Sequence, residues 1–178
     1  MSEGPGDELG LVQVYTGEGK GKTTAALGMA LRACGHGCRV LVIQFLKTDG
    51  TYGENRVWKQ VPGLEIVPAG RSCLVFEDAT PEDREYALRG LRRAADAMRQ
   101  GTHDMVVLDE VNVACKLELL RPQEVMDAVE KRKKGVEVVM TGRCAPPEFL
   151  AMADLITEMK PVRHYYEKGV MSRRGADK

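Results

Sequence analysis

Neither sign of charge prevails in this sequence: Lys plus Arg and Asp plus Glu each number 26, and the formal net charge is zero. That balance argues against a general attraction to nucleic acid or anionic lipid and leaves room only for a local basic pocket. No apolar run approaches the roughly 20 residues that span a bilayer. The opening stretch, MSEGPGDELG, lacks the basic-then-apolar order of an export signal. It reads as a short disordered lead over residues 1–10 of a cytoplasmic chain. The five cysteines, Cys34, Cys38, Cys73, Cys115 and Cys144, are scattered, and only Cys34 and Cys38 lie close together. No second close pair completes a zinc set, so reduced, buried thiols are expected. Internal repeats and linkers rich in Pro, Gly or Ser are also missing. With 43% apolar and 29% charged residues, the remaining stretch, 11–178, suits one globular domain ending in a short tail.

What is present is an alternation of short apolar runs with helical patterns. LVQVY (11–15), RVLVIQF (39–45), LEIVPA (64–69), MVVLDE (105–110) and EVVMTG (137–142) read as strands. Between them, KTTAALGMALRA opens a helix at Lys22 that Gly35 closes. Thr80 and Pro81 cap a helix running to about Gln100, with Asp83 in its first turn. PQEVMDAVEKRKK and PPEFLAMA give two more helices, and DLITEMK leads into the tail. Strands separated by helices imply a mainly parallel central sheet covered on both faces, a three-layer α/β fold. In such folds ligands sit at the carboxyl ends of the strands. Tyr15–Gly21, Phe45–Lys47, Asp109–Asn112 and Thr141–Arg143 are therefore expected on one rim.

The stretch TGEGKGKTT (16–24) stands at the first of these strand ends. Gly21-Lys22-Thr23 matches the end of the phosphate-loop pattern G-x-x-x-x-G-K-[ST], with Thr16 where the first glycine would be. Gly17, Gly19 and Gly21 let backbone N–H groups turn inward, the helix start adds partial positive charge, Lys22 adds a full one, and Thr23 offers a hydroxyl to Mg²⁺. Glu18 does not suit a polyphosphate, and its side chain is expected to point away or to pair with Lys20. At the end of MVVLDE, Asp109 and Glu110 face different ways, so that one can reach the metal and the other can orient a neighbour. Arg143 stands on the same rim. Arg32, ten residues past Lys22, reads from spacing alone as a solvated helix residue. His36, His103 and His164 are isolated, and no residue suggests itself as a base. A nucleoside-triphosphate binder using Mg²⁺ follows, with a kinase or ATPase and a non-catalytic nucleotide module still open.

Four passages in order, VYTGEGKGKTTAALGMALRACGHGCRVLVIQFLK, MVVLDEVN, VVMTGRCAP and PVRHYYEKGV, resemble the corrinoid adenosyltransferases of the phosphate-loop type across about residues 11 to 175. The resemblance implies a phosphate-loop NTPase-like fold and transfer of the 5′-deoxyadenosyl group of ATP to cobalt(I) of a corrinoid, with release of triphosphate. It implies that Gly17, Glu18, Gly19, Lys20, Gly21, Lys22, Thr23 and Thr24 hold the triphosphate. Lys22 and Glu110 would act in catalysis, Thr23 and Glu110 would hold Mg²⁺, Arg32 would reach the ribose, and Arg143 would contact the nucleotide or its phosphates. Position 18 is commonly Asn in that family. Where the family often carries Phe-x-Trp beneath the corrin, this chain has Leu74-Val75-Phe76. The resemblance further implies a homodimer and an electron donor that reduces cobalt.

Overall fold

Short apolar runs become the strands of a six-stranded sheet, all parallel, in the order β3-β2-β4-β5-β1-β6. The computed structural model describes residues 9–48, 52–71 and 79–177. The strands are β1 (Val12–Thr16), β2 (Val40–Phe45), β3 (Leu64–Ala69), β4 (Met105–Asp109), β5 (Glu137–Thr141) and β6 (Leu155–Glu158). The helices are α1 (Lys22–Gly35), α2 (Glu54–Val57), α3 (Pro81–Gln100), α4 (Val111–Lys116), α5 (Pro122–Glu130) and α6 (Pro147–Met152).

Side chains alternate along each strand, so the two faces of the sheet feed two separate cores. Val40, Val42, Met105, Val107 and Val139 pack with Ala26, Ala30 and Ala33 of α1. Leu41, Ile43, Phe45, Val106, Leu108, Val138 and Met140 face the other way, onto Leu91 and Met98 of α3, Val125 and Val129 of α5, and Phe149 of α6. This two-sided burial explains why β2, β4 and β5 lack a polar alternation. A Cβ at Gly90 would stand 2.6 Å from the Ala69 Cβ and 3.0 Å from Ile43 Cγ2, so this glycine lets α3 lie against the sheet. Among the described residues, no helix is long and apolar enough to cross a membrane.

The α3 cap forms as its sequence predicts. Asp83 N donates to Thr80 Oγ1, Thr80 N donates back to Asp83 Oδ2, and Gly101 ends the helix in the left-handed region. Three features depart from the sequence reading. Helix α5 stops at Glu130 instead of running through KRKK, and Arg132 returns to donate to Val129 O at 3.1 Å. DLITEMK contains β6, which pairs with β1 at the sheet edge. Two short helices to which the sequence reading assigned no element, α2 and α4, follow β2 and β4. The lead is anchored at its end, since Gly10 N and Leu11 N both donate to the buried Glu137 carboxylate.

Register places the site. Gln44 is level with Asp109, Leu108 with Met140, and Tyr15 with Thr141. The carboxyl ends of β2, β4, β5 and β1 therefore form one row, as the sequence predicts.

Candidate functional site on the strand rim

Three of the four described non-glycine residues with positive φ stand just past strand ends on this rim: Leu46, Glu110 and Cys144. Such conformations are held only where the surroundings determine them, and they collect at functional sites. Between the β1 end and α1 lies the glycine loop. Gly21 precedes α1 with φ 118°, and no side chain caps the helix. Its first-turn N–H groups are thus left for a ligand.

Lys22 is buried, and its Nζ donates to Gly17 O at 2.6 Å and to Gly19 O at 2.7 Å. Burial lowers the pKa of this ammonium, Arg143 lowers it further, and the Glu110 and Glu18 carboxylates oppose the change. Gly17 and Gly19 answer to the protein as well as to any ligand. A Cβ on either would come within 2.5 Å or 2.7 Å of Met159 O, to which Gly19 N already donates at 2.6 Å. The chain leaving β6 thus braces the loop from behind.

Because β5 lies between β1 and β4 in the sheet, the loop helix must reach across it to meet the acids of β4. It does so through hydroxyls. Thr23 Oγ1 donates to Asp109 Oδ1 at 2.8 Å, and Thr141 Oγ1 donates to the same oxygen at 2.7 Å. Thr141 Oγ1 in turn accepts from Glu110 N at 3.0 Å. The other oxygen, Asp109 Oδ2, accepts from Lys47 Nζ at 2.7 Å. Asp109 is only 1% exposed. Of the two acids, Asp109 therefore orients its neighbours, and the backbone turn at Glu110 aims its side chain elsewhere. Burial and the nearby Asp109 raise the Glu110 pKa, against the pull of Lys47, Lys22 and Arg143. A cation beside Glu110 would relieve both causes, and Thr23 and Glu110 are the hard oxygen donors that Mg²⁺ takes. The residues fit such an ion.

The remaining candidates lie further out. Glu18 pairs with Arg143 at 3.2 Å, both well exposed, so of the two expectations the pairing with Lys20 is not met. Lys20 reaches the tail instead, at 2.7 Å from Asp177 Oδ1 and 2.8 Å from Ala176 O. Asp177 also accepts from Tyr165 OH and from Arg173 N. Thr24 and Arg32 are exposed on α1, with Gly28 between them. These three positions, four residues apart, share one side of the helix. Leu74 and Phe76 lie outside the described residues.

Sequence reasoning missed Lys47 and Thr141 as members of the site. Their positions on the rim were expected, but nothing in their spacing signalled that both would converge on Asp109. Asn112, fully buried, donates to Gly142 O at 2.9 Å and ties the β4 end to the turn that carries Arg143. Among the described cysteines, Cys38 and Cys115 are buried, Cys34 is half-buried and Cys144 is exposed, so the expectation of buried thiols fails at Cys144, which the left-handed turn after Arg143 presents to solvent.

The family model described as ATP:corrinoid adenosyltransferase BtuR/CobO/CobP matches residues 8–177. The chain is similar to the corrinoid adenosyltransferase of Escherichia coli K12, with 36% identity covering 96% of this chain and 87% of the relative. Corrinoid adenosyltransferase CobA of Salmonella typhimurium LT2 is also 36% identical, over 96% of this chain and 87% of its own length. The Pseudomonas aeruginosa enzyme is 33% identical over 96% of this chain and 85% of its own.

Proposed function

This chain belongs to the ATP:corrinoid adenosyltransferase family, and from that premise we propose how its rim serves the reaction. The enzyme moves the 5′-deoxyadenosyl group of ATP to cobalt(I) of a corrinoid and releases triphosphate, a step in making adenosylcobalamin. Cobalt(I) supplies the electron pair for the new cobalt–carbon bond, and the C5′–O bond of ATP breaks with its pair going to triphosphate. The metal centre is itself the nucleophile, so the protein's work is positioning and the stabilisation of charge on the departing oxygen.

The observation that carries the site reading is the buried chain Thr23–Asp109–Thr141 beneath a loop into which Lys22 is turned. Residues Gly17, Gly19, Lys20, Gly21, Lys22, Thr23 and Thr24, together with the backbone N–H of Glu18, bind the triphosphate. Lys22 exchanges the carbonyls of Gly17 and Gly19 for phosphate oxygens, and Lys20 and Arg143 join by letting go of Asp177 and Glu18. Thr23 and Glu110 hold Mg²⁺, which neutralises triphosphate charge. The ribose runs along α1 towards Arg32. In support, nothing stands within 4 Å of a Cβ built on Gly28, which leaves that side of the helix open.

Leu74 and Phe76 supply apolar bulk to the lower corrin face, in keeping with the family pattern. Phe76→Ala is then expected to slow adenosylation of cob(II)alamin with a reductant more than that of pre-reduced cob(I)alamin; equal slowing of both removes this role. The enzyme works in the cytoplasm as a homodimer, with cobalt reduced by a separate electron donor. Exposed Leu155 and Ile156 on the edge strand favour a second copy as cover. The reaction is tested by incubating the protein with ATP, Mg²⁺ and a chemically reduced corrinoid. The expected product is a light-sensitive cobalt–carbon corrinoid, and ADP formation without it would overturn the reading.

A further inference from the structure

Lys47 has no role in the reaction proposed above, yet it is enclosed on the rim almost as fully as Lys22. It is 8% exposed. Its Nζ lies 2.7 Å from Asp109 Oδ2, 3.7 Å from Glu54 Oε1 and 4.7 Å from the centre of the Tyr52 ring. Burial alone would lower its pKa, but the Asp109 carboxylate reverses this and holds the ammonium above its ordinary range. Leu46, with φ 62°, breaks the alternation of β2 immediately before Lys47. A strained turn and a buried charge are two costs met at adjacent residues.

Stability is a poor explanation for such a pair, because a buried ion pair often does no better than well-packed apolar residues. Its geometry offers a better one. Lys47 takes one oxygen of Asp109 and so fixes the plane of the carboxylate. The other oxygen is thereby presented as a common acceptor to Thr23 and Thr141. The hydroxyl proton of Thr23 is committed to Asp109, which leaves the lone pairs of that oxygen for an incoming ligand.

We propose that Lys47 is a positioning residue for the triphosphate end of the reaction: its ammonium sets the Asp109 carboxylate, and that carboxylate sets the Thr23 hydroxyl. The side chain acts through Asp109 and does not touch ATP. This rests on the loop being the triphosphate site, which calorimetric titration of Lys22→Ala with ATP tests by itself.

The test for Lys47 is a double-mutant cycle of Lys47→Met, Asp109→Asn and the two combined. KM for ATP, KM for corrinoid, the calorimetric Kd of ATP and the thermal midpoint are measured for each. Lys47→Met is expected to raise both KM and Kd for ATP about tenfold while KM for corrinoid stays within about twofold. Added to Asp109→Asn, it is expected to change ATP binding by less than about twofold. An equal factor in both backgrounds would mean that Lys47 meets ATP directly. A lowered thermal midpoint with unchanged ATP binding would mean a structural role only. Either result overturns the proposal. Should Lys47→Met fail to fold, the other two variants decide: Asp109→Asn must itself weaken ATP binding, and the added change must leave it unmoved.

Discussion

The phosphate loop has an inner and an outer side, built from neighbouring residues of one short stretch. Inside, Lys22 and Thr23 meet Gly17, Gly19 and Asp109 over 2.6 to 2.8 Å, and Lys22, Lys47 and Asp109 are 7%, 8% and 1% exposed. Outside, Glu18 pairs with Arg143 with both side chains 60% exposed, and Lys20, 41% exposed, holds the tail. Charges in a dry interior act strongly and cannot be left unmatched, whereas exposed pairs are screened by water and salt. The inner contacts therefore set the geometry. The exposed Glu18–Arg143 pair can be exchanged for a ligand at little cost.

Substitutions can break or sharpen this contrast. The largest effect is expected at Asp109, where Ala leaves the buried Lys47 charge with only the more distant Glu54 opposite it; urea unfolding should show a loss of about 3–5 kcal/mol. Lys22→Ala should leave the fold intact and lower kcat/KM for ATP by about 10²–10³ in adenosylation assays. A fall of less than tenfold would place the functional charge elsewhere. Asp83 applies the same rule far from the loop. The Arg71 guanidinium, at 2.7 Å, together with Thr80, holds its carboxyl down to about 2. A depressed carboxyl contributes stability that is present above its unfolded value of 3.8 and is lost as pH falls towards 2. Asp83→Asn should thus lower stability by about 2 kcal/mol near neutral pH, and the gap from wild type should close in acid unfolding over that window. The smallest effect belongs to the outer side. Glu18→Gln should change ATP affinity by less than about threefold, and high salt should reduce even that. Many-fold tighter binding would mean that this acid faces the phosphates.

The same contrast explains what was legible in the sequence. Five strands, the α1 and α3 helices and the rim they share follow from apolar runs and caps, because burial on two faces and helix termini leave local marks. β6 was hidden since its four residues are all exposed, and LITE carries no burial pattern. The loop chemistry was legible from Gly21-Lys22-Thr23, but the convergence of Lys47 and Thr141 on Asp109 depends on strand order, which no local pattern encodes. Only the fold brings Asp177 to Lys20, across 157 positions of chain.

The central claim is that the loop's inner side grips the part of ATP that leaves intact. It is tested most directly by following phosphorus during turnover with ATP, Mg²⁺ and a cob(I)alamin acceptor, using ³¹P NMR. One equivalent of inorganic triphosphate for each adenosylated corrinoid is the expected result, and stoichiometric ADP and phosphate would contradict it.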